Sequence, residues 1–116
     1  MSSHENLPYI KHILDSISDI DDSISDLSKK EFKESKDVRD AVVRRLEVIG
    51  EAAKNISKDL KEAHPEIEWK KIAGTRDVMI HAYFSVDLDI VWEIIKQDLP
   101  VLKKQILKIK KELEEN

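Results

Sequence analysis

Residues 36–60 read KDVRDAVVRRLEVIGEAAKNISKDL, and the spacing of apolar residues in this stretch decides the fold class. The apolar positions recur at intervals of three and four, at Val38, Val42, Leu46, Ile49, Ala53, Ile56 and Leu60. In an α-helix this spacing places them all on one face. Ser35 can cap the start of this helix. His64-Pro65 should stop it after Ala63, because the residue before a proline avoids the helical region.

The same spacing predicts a helix before this stretch. Asn6 is a plausible cap and Pro8 suits the first helical turn. From there, isoleucine and leucine recur at helical spacing as far as Leu27, while aspartates occupy the opposite face. We predict that a polar break over residues 28–35 separates this first helix from the second.

Two further helices are predicted in the second half of the chain. The third covers residues 68–84, and the fourth begins at an Asp87 cap and is kinked or divided at Pro100. The sequence has no strand-like alternation, internal repeat or long linker. We therefore predict an all-α protein, an antiparallel bundle of four or five helices that forms a single domain over residues 1–116.

Composition narrows the class of protein. Charged residues make up 38% of the chain, as expected for helices with one apolar and one charged face. The net charge of −4 argues against a protein that coats nucleic acid nonspecifically, but not against an enzyme with a locally basic cleft. There is no cysteine, no apolar run long enough to span a membrane, and no signal-peptide pattern in the first ten residues. We expect a cytoplasmic protein with no membrane contact.

Arg76 stands out because it falls on the apolar stripe of the third predicted helix. The other members of that stripe are Trp69, Ile72, Ala73, Ile80 and Tyr83. A guanidinium is always charged and must find an anion or other acceptors. One alternative is a purely structural arginine paired with a carboxylate of a neighbouring helix, such as Glu47 or Glu51.

His81 is the second candidate for chemistry. It follows Asp77 by four residues, so the two side chains lie one helical turn apart on the same face. An aspartate can hold the imidazole in one tautomer and raise its basicity, which suits a general acid or base near neutral pH. The alternative is a solvated pair on a helix surface. The other histidines have no comparable neighbour, and we expect His4, His12 and His64 to be surface residues.

The spacing of Arg76 and His81 predicts a site shared between two subunits. On an ideal helix these residues differ by about 140° in direction and ~7.5 Å in height, so they do not point at one atom. An arginine side chain that curls round, or a distorted helix end near Phe84, would also bring the two groups together, whereas a symmetric dimer would bring two such pairs into one cleft.

Chemistry at this site would not need a metal or another cofactor. The sequence has no histidine pair at a ligand spacing, no cysteine and no glycine-rich phosphate loop. A histidine that moves protons and an arginine that stabilises a developing anion are sufficient to cleave RNA by attack of its own 2′-hydroxyl.

The segment Arg76-Asp77-Val78-Met79-Ile80-His81-Ala82-Tyr83 resembles the R-x4-6-H motif of HEPN domains, with the H-x-Y continuation of the HepT-like subfamily. Three further blocks are similar to that subfamily in the same order: LEVIGEAA at 46–53, HPEIEW at 64–69 and DLDIVW at 87–92. The resemblance covers nearly the whole chain.

This resemblance implies a helical HEPN fold and a homodimer in which the two motifs meet at the interface. It implies a ribonuclease toxin with Arg76 and His81 as the catalytic pair and Asp77 as a supporting residue. It also implies a cognate antitoxin, a minimal nucleotidyltransferase of the MntA type that adenylylates Tyr83. Because the first helix is acidic, we expect RNA contacts to come from Lys70, Lys71 and Arg45.

A second function remains open at this point. Some members of the superfamily retain the fold and motif within nucleotidyltransferase complexes, without demonstrated RNA cleavage. In such a noncatalytic helical dimer, Arg76 would bind a phosphate and the protein would position a substrate for the nucleotidyltransferase.

Overall fold

In the computed structural model, which describes residues 5–75 and 87–115, every regular element is helical, as predicted. The elements in chain order are α1 (Leu7–Ile24), α2 (Lys29–Glu34), α3 (Lys36–Asn55), α4 (Lys58–Ala63), α5 (residues 69–75), α6 (Leu88–Glu93), a π-helix (Ile94–Asp98) and α7 (Leu99–Glu115). The prediction of an all-α protein is confirmed.

The core lies where α1 packs against both α3 and α7. Four isoleucines of α1 are almost completely buried: Ile10, Ile13, Ile17 and Ile20. They meet the apolar faces of α3 and α7, whose fully buried members include Leu46, Ile49, Ile106 and Ile109. Burial of each such side chain contributes about 1.5–3 kcal/mol, so this contact is the main source of stability.

The predicted polar break over residues 28–35 is wrong, because this segment contains the short helix α2. Ser28 and Glu31 form a capping box: the Ser28 hydroxyl accepts from the Glu31 backbone N–H, and the Glu31 carboxylate accepts from the Ser28 N–H. Phe32 anchors α2 to the core, fully buried and with its ring centroid 5.3 Å from that of Trp92. One aromatic residue among charged ones gives no helical periodicity, which is why the sequence pattern did not reveal the helix.

The second predicted helix is interrupted before Ala63. Ser35 caps it as expected, accepting from the Val38 N–H at 3.3 Å, but α3 ends at Asn55. Ile56 adopts an extended backbone, and the Ser57 hydroxyl caps α4 by accepting from the Leu60 N–H. The apolar spacing continues across this break, because Ile56 is buried on the same side of the molecule, so spacing alone cannot detect it.

Asn6 precedes α1 as predicted, but its side chain does not cap that helix. Its side-chain amide instead forms two hydrogen bonds with Ser57, which we call the Asn6 clasp. The amide donates to the Ser57 hydroxyl at 3.0 Å and accepts from the Ser57 backbone N–H at 2.9 Å. Asn6 is 5% exposed, so both bonds are shielded from water. This clasp fixes the start of α1 to the junction between α3 and α4.

The C-terminal helices follow the prediction in outline. Asp87 caps α6 by accepting from the Ile90 N–H at 3.2 Å. The predicted disruption at Pro100 takes the form of the π-helix directly before it, where the Leu99 N–H donates to the Ile94 carbonyl. Proline has no N–H and its ring crowds the carbonyl four residues earlier, so a wider turn relieves the clash. The third predicted helix is present over residues 69–75; its remainder, residues 76–84, lies outside the described residues.

Within residues 5–75 and 87–115, no helix combines the length and the apolar character that crossing a membrane requires.

The Asn6 clasp predicts a measurable contribution to stability. Asn6→Ala leaves the shielded Ser57 N–H without its acceptor, and we expect the free energy of unfolding to fall by about 1–3 kcal/mol. Urea denaturation followed by circular dichroism measures this change. Asn55→Ala is the matched control, because Asn55 is exposed, and it should cost less than about 0.5 kcal/mol. Equal effects of the two substitutions would contradict a structural role for the clasp.

Candidate functional site

A groove of about 610 Å³ lies between α5 and the continuous helix formed by α6, the π-helix and α7. Leu46 and Ile49 of α3 form its floor, and Ile72 and Thr75 belong to the α5 wall. Ile90, Ile94 and Val101 line the opposite wall, where Ile90 and Val101 are 43% and 58% exposed. The groove is therefore apolar inside and open to solvent.

Carboxylates dominate the charged groups of this groove. Among the described residues, its lining includes the carboxylates of Glu66, Glu68, Glu93 and Asp98 and one cation, Lys71. Lys71 bridges the two walls, with Nζ 3.4 Å from Glu68 and 3.6 Å from Asp98. The charges of Asp98 and then Glu68 raise the pKa of Lys71.

The α5 wall is held in place by the turn that precedes it. The Trp69 indole donates to the His64 carbonyl at 3.0 Å, and Ile67 is buried beneath the turn. Gln105 of α7 adds a bond of 3.4 Å from its amide to the Glu66 carbonyl. These contacts fix where α5 begins and therefore where its end at residue 75 points.

His64 is not the surface residue that the sequence suggested. Its side chain is 12% exposed and lies between two carboxylates, with Nδ1 3.3 Å from Glu66 and Nε2 3.3 Å from Glu112. A hydrogen bond from its own backbone N–H, followed by the contact with His64, holds the pKa of Glu66 below its usual value. The nearby Glu66 was a visible signal, but Glu112 is too distant in sequence to be recognised as a partner.

The principal predicted site residues, Arg76, Asp77, His81 and Tyr83, lie outside the described residues. The segment that contains them follows Thr75, which lines the groove, and precedes Asp87, which caps the helix carrying Ile90. Both described ends of the chain around this segment are thus at the groove.

The structure describes all three residues predicted to contact RNA. Arg45 pairs with Asp19 of α1 at 3.2 Å, and Lys71 is held by its two carboxylates. Lys70 is exposed and forms no ion pair with a described residue. As for metal ions, residues 5–75 and 87–115 contain no group of three histidine or carboxylate side chains placed to hold one.

Comparison with known proteins assigns the chain to a family. The family model "Ribonuclease HepT-like" matches residues 13–109. A probable ribonuclease HepT of Thermococcus cleftensis is 41% identical over 94% of this chain and 97% of its own length. A "Putative RNase" of Methanocaldococcus jannaschii is 46% identical over 92% of both chains.

A longer relative shares the same identity. The protein named "Gamma-glutamylcyclotransferase and putative RNase" of Methanocaldococcus jannaschii is 46% identical over 93% of this chain, which spans 49% of that relative's length. No solved structure gives a significant match. The described helices and the family match agree on an all-α HEPN-like fold, and the chain belongs to the HepT-like ribonuclease family.

Proposed function

We propose that this protein is a ribonuclease that cleaves RNA without a metal ion, with Arg76 and His81 as its catalytic residues. The observation that carries this proposal is the family match over residues 13–109, which includes the complete motif from Arg76 to Tyr83. Two relatives of similar length, matched over nine-tenths of the chain, are named as ribonucleases.

The proposed reaction needs a group that transfers protons and a positive charge, which His81 and Arg76 would supply. His81 accepts the proton of the RNA 2′-hydroxyl as its oxygen bonds to the adjacent phosphorus, and the bond from phosphorus to the 5′-oxygen breaks. The leaving 5′-oxygen takes the proton that His81 has accepted, so the imidazole returns to its neutral form, and the product ends in a 2′,3′-cyclic phosphate. Arg76 stabilises the negative charge that develops on the phosphoryl oxygens. Asp77 orients the His81 ring.

The described residues on either side of the motif support this assignment. Thr75, directly before Arg76, and Ile90, three residues after Asp87, both line the groove. The sequence spacing of Arg76 and His81 favours a site assembled from two subunits, and we propose a homodimer. We further propose that residues 1–116 act as one domain in the cytoplasm, where RNA is available.

We also propose that this ribonuclease is a toxin controlled by modification of Tyr83. A cognate nucleotidyltransferase of the MntA type would transfer adenylate from ATP to the Tyr83 hydroxyl and release pyrophosphate. The added phosphate is an anion seven residues from Arg76 in the same motif, where it would compete with the RNA phosphate for the guanidinium.

A second function is favoured by one observation, the acidic lining of the groove. Four carboxylates against one lysine repel RNA phosphates but suit a protein surface that carries basic residues. In this alternative the protein is a noncatalytic subunit that binds a nucleotidyltransferase or positions its substrate.

Cleavage assays with single-residue variants separate the two functions. We expect purified protein to cut single-stranded RNA in the presence of EDTA. Arg76→Ala and His81→Ala should each lower the rate by at least about 100-fold, because each removes one half of the acid–base and anion-stabilising pair. Gel analysis of labelled RNA measures both effects.

Arg44→Ala and His12→Ala are the matched controls, since both residues are exposed and outside the motif. They should retain the wild-type cleavage rate. Unchanged cleavage by the two motif variants would show that the site is elsewhere. Absence of cleavage by folded wild-type protein would favour the noncatalytic subunit.

The modification is tested by mass spectrometry. After incubation with the cognate nucleotidyltransferase and ATP, the wild-type protein should gain adenylate on Tyr83 and lose RNA cleavage. Tyr83→Phe should gain no mass, because it lacks the acceptor hydroxyl, whereas Tyr9→Phe should be modified normally. Adenylate on another residue, or modified protein that still cleaves RNA, would contradict the proposed control.

A further inference from the structure

One helix of this acidic protein carries a run of positive charge that no acidic residue interrupts. Residues 99–111 of α7 contain five lysines and no acidic residue, although the whole chain has a net charge of −4. Helix α1, which packs beside α7, has the opposite character, with four aspartates between residues 15 and 22. The molecule therefore presents an acidic and a basic face on neighbouring helices.

Two of the five lysines are paired with carboxylates. Lys103 is 3.9 Å from Asp21 of α1, and Lys110 is 3.0 Å from Glu114 one turn later. The other three, Lys104, Lys108 and Lys111, are exposed and form no ion pair with any described residue. Charges that form no ion pair with a described residue are available to a ligand.

These three lysines form a single row along the helix. Their spacing of four and three residues places them on one side of α7, opposite the buried Leu102, Ile106 and Ile109. The row spans about 10 Å of helix axis, over which one nucleic acid strand in a duplex carries about three phosphates.

We propose that Lys104, Lys108 and Lys111 bind consecutive phosphates of the RNA and hold it along α7, beside the groove. This inference rests on the proposed ribonuclease function and names the surface that recognises its substrate. It also supplies positive charge that the described groove lining lacks, because that lining is mostly acidic and, of the three residues expected to contact RNA, Arg45 and Lys71 pair with carboxylates.

The row runs next to the groove rather than on a remote surface. The charge of Lys108 acts on Glu66 of the groove lining, and Gln105, one residue after Lys104, donates to the Glu66 carbonyl. Val101, one turn before Gln105, belongs to the groove wall. RNA bound to the row would therefore pass along the edge of the groove, whose lining includes Thr75, the residue directly before Arg76.

Substitution of the row by neutral side chains tests the proposal. The probe is a fluorescent 2′-O-methyl RNA single strand of about 20 nucleotides, which retains every phosphate but lacks the attacking hydroxyl. Fluorescence anisotropy gives its Kd between about 50 and 200 mM KCl. The variant Lys104→Gln/Lys108→Gln/Lys111→Gln is compared with Lys11→Gln/Lys30→Gln/Lys54→Gln, which removes the same charge from exposed lysines of α1, α2 and α3.

We expect the row variant to bind the probe with a Kd that is higher by roughly tenfold or more. The slope of log affinity against log salt should flatten by about 2, because each of the three lost phosphate contacts on a single strand contributes about 0.7. The control variant should retain the wild-type slope. With cleavable RNA, the row variant should raise KM and leave kcat unchanged.

Three results would overturn the assignment of the row. The first is equal binding by the row variant and the control, and the second is a wild-type protein that does not bind the probe at any salt concentration. The third is a row variant that binds RNA with unchanged affinity but differs from the wild type in oligomeric state, measured by light scattering. This result would show that the row contacts the acidic α1 face of a second copy of the chain.

These experiments distinguish a wrong assignment of the lysine row from a wrong assignment of the ribonuclease function. Loss of binding by the row variant, with a wild-type protein that binds RNA but never cleaves it, supports the row and contradicts the nuclease. Normal cleavage with unchanged binding by the row variant contradicts the row and leaves the nuclease intact.

Discussion

The isoleucine face of α1 must be buried, and the positions of the other helices follow from this requirement. Ile10, Ile13, Ile17 and Ile20 would cost several kcal/mol if exposed, and one helix can cover only part of such a face. Helices α3 and α7 therefore both pack against α1, each with its own apolar stripe. The remaining elements are short and attach to this three-helix core through a few anchoring side chains.

Small polar side chains determine where four of the described helices begin. Ser28, Ser35, Ser57 and Asp87 each accept a hydrogen bond from a backbone N–H in the first turn of the helix that follows. Those N–H groups have no partner within the helix, so a cap satisfies them at the point where the chain changes direction. Such caps allow one helix to end and the next to begin within a few residues, as between α2 and α3 and between α3 and α4.

Two surfaces of the protein carry opposite charge, and the net charge of the whole chain does not show this difference. Carboxylates line the groove between α5 and α7, where Lys71 is neutralised by Glu68 and Asp98. The outer side of α7 presents lysines that have no such partners among the described residues. A net charge of −4 is thus compatible with a basic path for RNA, because screening limits each charge to a neighbourhood of about 10 Å.

The sequence by itself determined the helical class, the buried faces of the long helices and the caps at Ser35 and Asp87, since these depend on residues within one or two turns of each other. It also identified the family through the blocks around Arg76 and His81, whose roles remain predictions because these residues lie outside the described ranges. Only the tertiary structure decided that α3 ends at Asn55, that Asn6 clasps Ser57, and that His64 lies between Glu66 and Glu112. The clasp and the His64–Glu112 contact join residues about 50 positions apart, and no local pattern encodes which distant partner the folded chain brings near.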